Sequence, residues 1–256
     1  MSNKKPWIEV VVSDIHLPKQ NKEALSCVYQ TLKLIKPDGI TLNGDIIDFG
    51  TFSRHDRFSP PKCYWTDSQY YEASQKEYEA AETFLSTVDK LMKGKRKRYE
   101  LGNHEQWLLD FIKESPNTRT PSFSLECRLH LTARGYNVYK YNDFMKLGKL
   151  WVTHGIYSGA NHAKKHLTEM GTSILYGHLH NIEVASKITP QSVSHMAWCA
   201  GCLCDLNPDY LRNKPQNWNH GFAIVYVWPS GEYQVDIIRI QNGRCVVQGR
   251  EIVGRP

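Results

Sequence analysis

A membrane-spanning run is the first thing missing from this 256-residue chain. No segment approaches the roughly 20 apolar residues that a spanning helix needs. The opening MSNKKPWIEVVVSD carries two lysines but enters a strand-like stretch with no apolar leader before it. The expectation is a cytoplasmic protein with no membrane partner. A disulfide framework is missing too. Seven cysteines, an odd number scattered along a chain rich in His and Asp, argue for reduced thiols. Cys199, Cys202 and Cys204, in WCAGCLC, look like half of a zinc site. The other half is absent, because only the isolated Cys245 follows, so buried cysteines on a strand are the better reading. Repeats and low-complexity tracts are lacking as well.

What is present fits one domain over residues 1–256, since 41% hydrophobic residues at this length can bury one large α/β core. A net charge of +6 suits an anionic substrate. The basic run Lys93, Lys95, Arg96, Lys97 and Arg98 reads either as a phosphate-contacting surface or as a solvated helix end capped by Gly94. The first half alternates strand and helix. Trp7 to Ser13 is an apolar β-branched run, Asn21 to Lys36 has helical spacing, and Gly39 to Asn43 is the next strand. Between Thr51 and Lys93 the pattern breaks, with Pro60–Pro61 and then a polar helix from about Asp67 to Met92. Residues 51–98 therefore read as an insertion capping the active site. Its Tyr64, Trp65, Tyr70, Tyr71 and Tyr78 either stack on bases or dock the helix onto the body. Helices are expected from Glu105 to Glu114 and from Ser122 to Arg134. The second half is strand-rich, with hairpin turns at KLGKL and WPSGEY.

Five short motifs follow apolar strands in order: Asp14-Ile15-His16, Gly44-Asp45-Ile46-Ile47-Asp48, Gly102-Asn103-His104-Glu105, Thr153-His154-Gly155 and Gly177-His178-Leu179-His180. Together they offer carboxylate, imidazole and amide-oxygen donors, the mixture that suits Mn, Fe, Zn, Ni or Co. Asp-x-His and His-x-His on strands would put both side chains on one face. A single Gly-Asp or Gly-His pair occurs by chance, but five in register do not. Strand carboxyl ends are also where ligands collect in open α/β sheets.

This ordered set resembles the calcineurin-like metallophosphoesterase superfamily across residues 14–180. The resemblance implies a four-layer α/β/β/α sandwich of two mixed sheets flanked by helices, with two divalent ions, Mn foremost, at one edge. By motif position it implies Asp14, His16 and His180 at the first metal, Asp45 bridging, and Asn103, His154 and His178 at the second, with His104 as the catalytic acid. Two bridged divalent ions can lower the pKa of a shared water and aim it at phosphorus. Asp48 is placed either to hold the His104 ring or to cap its loop. Glu105 reads as a helix opener. Arg54, His55 and Asp56 are candidate phosphate contacts. His162 and His166, one helical turn apart, read as helix residues facing the cleft or solvent.

Phe49 and Gly50 stand where the superfamily's protein phosphatases carry arginine after GDxxD, which argues against a protein substrate. The segment AGCLCDLNPDYLRNKPQNWNHGFAIVYV resembles the C-terminal part of phage and prophage members often labelled as DNA-repair-exonuclease-like, and that implies a bacterial or phage-infected cell. These features lean toward a phosphodiesterase or nuclease acting on DNA or nucleotides, with a small-substrate phosphomonoesterase as the competitor. A scaffold that has lost catalysis is disfavoured because His104 and all the candidate ligands are present. A pure nucleic-acid binder would keep its binding in EDTA and lose it with salt.

Overall fold

The computed structural model describes residues 5–54, 62–188, 190, 193–208 and 216–256. Strand β1 (Trp7–Val12) leads to helix α1 (Lys22–Ile35), β2 (Gly39–Asn43), α2 (Asp67–Leu91), β3 (Arg96–Glu100), α3 (Asn103–Glu114), the short α4 (Leu125–Leu129) and β4 (Tyr136–Tyr139). After these come β5 (Met145–Leu147), β6 (Leu150–Thr153), α5 (His162–Met170), β7 (Ile174–Tyr176), β8 (Ile182–Ile188) and β9 (Ser194–Ala200). The chain closes with β10 (His220–Val227), β11 (Tyr233–Ile240), β12 (Arg244–Val247) and β13 (Arg250–Val253).

Two mixed sheets form the centre, with orders β11-β10-β1-β2-β3-β4 and β5-β6-β7-β9-β8. Strands β1 to β4 run parallel, as do β6, β7 and β9, while the hairpin partners β10, β11, β5 and β8 pair antiparallel. The period of two in β1 divides its valines between layers. Val10 and Val12 face α1, α2 and α3, where they meet Leu25, Leu32, Leu85 and Leu108. Val11 faces the other way, with Ala223 and Val225, onto Val152, Leu175 and Trp198 of the second sheet. Strand β7 divides likewise: Leu175 points between the sheets, while Ile174 and Tyr176 point outward to Ala163 and Leu167 of α5. This is the expected α/β/β/α sandwich. Each fully buried aliphatic side chain in its three apolar layers contributes about 1.5–3 kcal/mol.

Local signals set the helix ends. The Asn21 side chain accepts the Ala24 N–H, and Thr66 with Gln69 forms a capping box. The expected helix from Ser122 to Arg134 shrinks to Leu125–Leu129 because His130 turns left-handed at its C-cap. Two elements carried turn signals that the sequence reading passed over: Asn242-Gly243 before β12 and Gln248-Gly249 between β12 and β13, all four at positive φ.

The insertion helix lies in the outer helical layer. Tyr70 and Tyr78 are buried there with Phe49, Phe52, Phe111 and Phe123, and Tyr78 donates to the Phe123 carbonyl at 2.9 Å. These tyrosines dock the helix, whereas Tyr64 is 80% exposed. Lys93 and Lys95 lie in the exposed turn that ends the helix, around Gly94 at positive φ, and the rest of the run is strand. Arg96 to Arg98 open β3, and the run is engaged: Lys95 on Asp38, Lys97 on Asp89, Arg98 on Glu9, and Arg96 over the Trp7 ring. No helix among the described residues is long and apolar enough to cross a membrane.

Candidate metal centre

The carboxyl ends of β1, β2, β3, β6 and β7 converge where the two sheets meet, and all five motifs lie there. The donors do not sit on the strands themselves, as period-two geometry had suggested. β1 ends at Val12 and β7 at Tyr176, and Asp14, His16, Asp45, His178 and His180 all take left-handed backbone with φ between 50° and 70°. Each such non-glycine residue costs roughly 1–3 kcal/mol, a strain characteristic of functional sites. It is this kink that turns both members of each Asp-x-His and His-x-His pair inward. Close approach also requires two glycines: a Cβ at Gly102 would stand 2.1 Å from Asp45 Oδ1, and one at Gly177 would stand 2.4 Å from Asp14 Oδ2.

Each buried carboxylate has one oxygen tied to the main chain and one presented. Asp14 Oδ2 accepts the His178 N–H at 2.8 Å, and Asp45 Oδ1 accepts the His104 N–H at 2.9 Å. Asp14 Oδ1 has no hydrogen-bond partner and lies 3.2 Å from His180 Nε2. Asp45 Oδ2 lies 3.2 Å from His154 Nε2, 3.8 Å from His16 Nε2 and 3.9 Å from His104 Nε2, which is a bridging position. Asn103 Oδ1 is 3.2 Å from His154 Nε2, and His16 Nε2 is 3.1 Å from His180 Nε2. His178 Nδ1 is buried without a partner.

Second contacts set which nitrogen faces the cluster. His154 Nδ1 lies 2.9 Å from the Asn43 carbonyl, and His16 Nδ1 lies 3.2 Å from Asp48 Oδ1. With those Nδ1 protons donated, both Nε2 lone pairs point inward. His104 Nδ1 likewise donates to the Asp48 main-chain oxygen. This corrects the expected role of Asp48. It holds His104 through its carbonyl, while its carboxylate holds His16 and takes the Lys19 ammonium at 2.6 Å.

Glu105 does more than open α3. Its fully buried carboxylate accepts N–H groups from Ile46 and Ile47 on one oxygen and from Gly102 and Asp45 on the other, at 2.8–3.1 Å, and the Tyr99 hydroxyl as well. It thereby shapes the whole Gly44–Asp48 turn. Buried Glu100 accepts from the Thr153 hydroxyl and the His154 N–H, while Asn43 donates to the Thr153 carbonyl. These bonds join the two sheets at His154.

Burial alone would raise the Asp45 carboxyl, but His154, His104 and His16 hold it well below the usual range. Burial opposes a charged His154, yet Asp45 and Asp14 push it up to about 10, and Asp14 does the same for His180. Burial pushes His104 down to about 4. Without a cation the carboxylates hold protons on His154 and His180 in place of a metal, and Asp14 Oδ1 and His178 Nδ1 still have no hydrogen-bond partner. Divalent cations take the place of those protons. The donor set fits two: Asp14, His16 and His180 could hold one, Asn103, His154 and His178 the other, with Asp45 between.

Some expected residues are not brought here. Arg54 points away, its guanidinium 2.6 Å from Glu114 and 3.9 Å from Asp110. His55 and Asp56 lie outside the described residues. His162 and His166 face neither cleft nor solvent. His162 is buried between the Tyr176 hydroxyl, Asn181 and Glu183, and His166 Nε2 accepts the Ile156 and Tyr157 N–H groups. Conversely, Lys19, Trp107 and Trp218, which no motif marks, are brought to the site. The Trp107 ring lies 3.9 Å from that of His104, and Trp218 meets His180 edge-on at 4.2 Å. Nothing local distinguishes these tryptophans from core residues. Cys204, 3.8 Å from His180 Nδ1, did carry a signal, its place in WCAGCLC.

A two-sheet sandwich with this His/Asp/Asn cluster at its carboxyl edge defines a dimetal-phosphoesterase type of architecture. The chain belongs to the calcineurin-like phosphoesterase family, whose model matches residues 10–231. It is 25% identical to the Gene 54 protein of Mycobacterium phage L5, over 94% of this chain and 96% of that protein. The Gene 54 protein of Mycobacterium phage D29 is 25% identical over the same shares. In fold it is similar to Vacuolar Protein Sorting 29 from Cryptosporidium parvum, with a TM-score of 0.50 and 10% identity over 98% of this chain and 100% of that one.

Proposed function

We propose that the chain is a dinuclear-metal-dependent phosphoester hydrolase, with phosphodiesters of nucleic acid or nucleotides as its substrate class. The observation that supports the hydrolase reading best is the paired carboxylates: Asp14 and Asp45 each have one oxygen bound to an N–H and one offered to inward-facing imidazoles. Bound there, two divalent ions supply Lewis-acid charge to the phosphoryl oxygens and lower the pKa of water. His104 stands beside them with Nδ1 held by the Asp48 carbonyl, Nε2 free toward the cluster and one ring face against Trp107. Burial holds this ring down to about 4, so on its own it is neutral at pH 7. An anionic phosphoester beside Nε2 favours the imidazolium, and the proton then passes from Nε2 to the leaving oxygen.

The diester leaning draws on the net charge of +6 and on the aromatic surfaces of Trp107 and Trp218 beside the site, which suit a stacked base. Lys95, Arg96, Lys97 and Arg98 are engaged by Asp38, Trp7, Asp89 and Glu9, and Tyr70 and Tyr78 are buried in packing, so these residues support neither the diester assignment nor a non-catalytic nucleic-acid binder.

The test is a metal-reconstituted comparison of p-nitrophenyl phosphate, its bis ester, cyclic nucleotides, and single- and double-stranded DNA, with and without EDTA. Hydrolysis of diesters that EDTA abolishes, and that His104→Ala slows by about 10²–10⁴-fold at unchanged metal content, is the expected result. Strong monoester preference without DNA cleavage overturns the diester assignment. Inactivity of the metal-loaded protein on every ester overturns the hydrolase.

A further inference from the structure

Apart from His104, three histidines of the cluster turn Nε2 inward and have Nδ1 anchored, and one of the anchors differs in kind. For His16 it is the Asp48 carboxylate, and for His154 the Asn43 carbonyl. For His180 it is a thiol: Cys204 Sγ lies 3.8 Å from Nδ1, with both residues buried. His180 Nε2 meanwhile faces the unpartnered, fully buried Asp14 Oδ1 and the Nε2 of His16. For Nε2 to offer a lone pair there, Nδ1 must carry the ring proton, and Cys204 is the acceptor placed to receive it.

We infer that Cys204 is the positioning residue of His180: its sulfur accepts the Nδ1 proton, fixes the tautomer and commits Nε2 to the first metal position. The main chain fixes where that sulfur sits. The Leu203 N–H donates to the Asp14 carbonyl at 3.0 Å, the Asp205 N–H to the Lys19 carbonyl at 2.8 Å, and the Cys204 carbonyl accepts from His220 Nε2 at 2.8 Å. The segment carrying the thiol is thus laced to the Asp14–Lys19 loop that carries the metal donors. Cys199 is turned toward the Gly177 carbonyl, and Cys202 toward the Asn219 carbonyl and the Cys204 sulfur itself. The run acts as a strap that delivers one sulfur to one ligand. A sulfur acceptor is larger and softer than the carboxylate and carbonyl serving His16 and His154, so retention of the first metal depends on that thiol staying reduced and unmodified.

The inference rests on the metal-centre reading and not on hydrolysis, so its test reads metal binding. Metal-free wild type, Cys204→Ala and Cys204→Ser are titrated with Co²⁺ against a competing chelator, the visible ligand-field bands are recorded, and metal-free melting temperatures are compared. Loss of the outer partner is expected to weaken one of two Co²⁺ equivalents by about 10–100-fold and to alter its bands, with the second equivalent unchanged. Serine, whose hydroxyl also accepts, is expected to restore most of the affinity, and the metal-free proteins to melt together. Wild-type affinity in Cys204→Ala overturns the inference, as does a serine variant as weak as the alanine one. Equal weakening of both equivalents with a lower metal-free melting temperature makes Cys204 a packing residue only. A wild type that takes up no Co²⁺ overturns the inference together with the metal centre, whether or not any ester is hydrolysed.

Discussion

Replacing Glu105 by glutamine keeps the shape of the side chain and removes half of what it does. One carboxylate oxygen accepts from Ile46, Ile47 and Tyr99, the other from Gly102 and Asp45. A glutamine can offer its carbonyl oxygen to only one of these groups, and the less damaging orientation turns the NH₂ toward the Gly102 and Asp45 N–H groups. Two buried donors then lose their acceptor, at about 1–3 kcal/mol each, or about 2–6 kcal/mol together. For a domain whose total stability is on the order of 5–15 kcal/mol, that is a large fraction. It corresponds to a fall in melting temperature of roughly 5–25 °C at 2–4 °C per kcal/mol. The site should feel it before the fold does, because the released turn holds Asp45 at a φ of 50°. The assay is urea unfolding of the metal-free protein alongside metal analysis of the reconstituted one. A Glu105→Gln protein within about 0.5 kcal/mol of wild type, carrying both metals, would show that the five bonds to this carboxylate do not organise the turn.

Three further outcomes follow from the same contacts. Glu77 on α2 is buried, and burial first and Asp48 second push its carboxyl up to about 8, against Lys19, Lys62 and the Gly50 N–H, which lower it. A carboxyl raised in the folded chain gives its full stability below its ordinary pKa of 4.5 and loses it as pH climbs through 8. Glu77→Gln should therefore remove about 2–3 kcal/mol of the stability that the wild type loses between pH 6 and pH 9, and parallel unfolding curves at the two pH values would refute this. Asp48→Asn removes the charge that His16 Nδ1 and Lys19 share, so chelator competition should show about 10–100-fold weaker metal binding, and unchanged affinity would leave that carboxylate as a partner of Lys19 alone. Arg54→Ala should leave KM for any substrate of the enzyme within about twofold, because its guanidinium is occupied by Glu114 and Asp110 on an exposed face. A tenfold rise in KM would return Arg54 to the substrate.

The order of the five motifs, read along the chain, already carried the family and its two-sheet sandwich. Chemistry at a strand end is local: DIH, GDIID, GNHE, THG and GHLH each follow a strand, apolar in every case but the RKRYE strand before GNHE, and both the strand and its polar terminus are written in consecutive residues. Strand boundaries such as Gly39–Asn43 and Tyr233–Ile240 were legible for the same reason. What the sequence could not decide was which donor faces which partner. The left-handed kinks at Asp14, His16, His178 and His180, the transfer of the Asp48 carboxylate from His104 to His16, and the burial of His162 and His166 against Tyr176 all depend on elements distant in the chain. The same holds for Glu105, whose neighbours in sequence suggest a helix start and whose partners across the fold make it the keystone of the Gly44–Asp48 turn. Tyr70, Tyr78 and Arg96 to Arg98, which looked available from composition, were consumed by packing and ion pairs. A cysteine from a run that looked like part of a zinc site was brought instead to a histidine nitrogen. Residue type and spacing determine which atoms this chain can offer; only the meeting of the two sheets, which fixes direction and excludes water, determines which of them remain free to act.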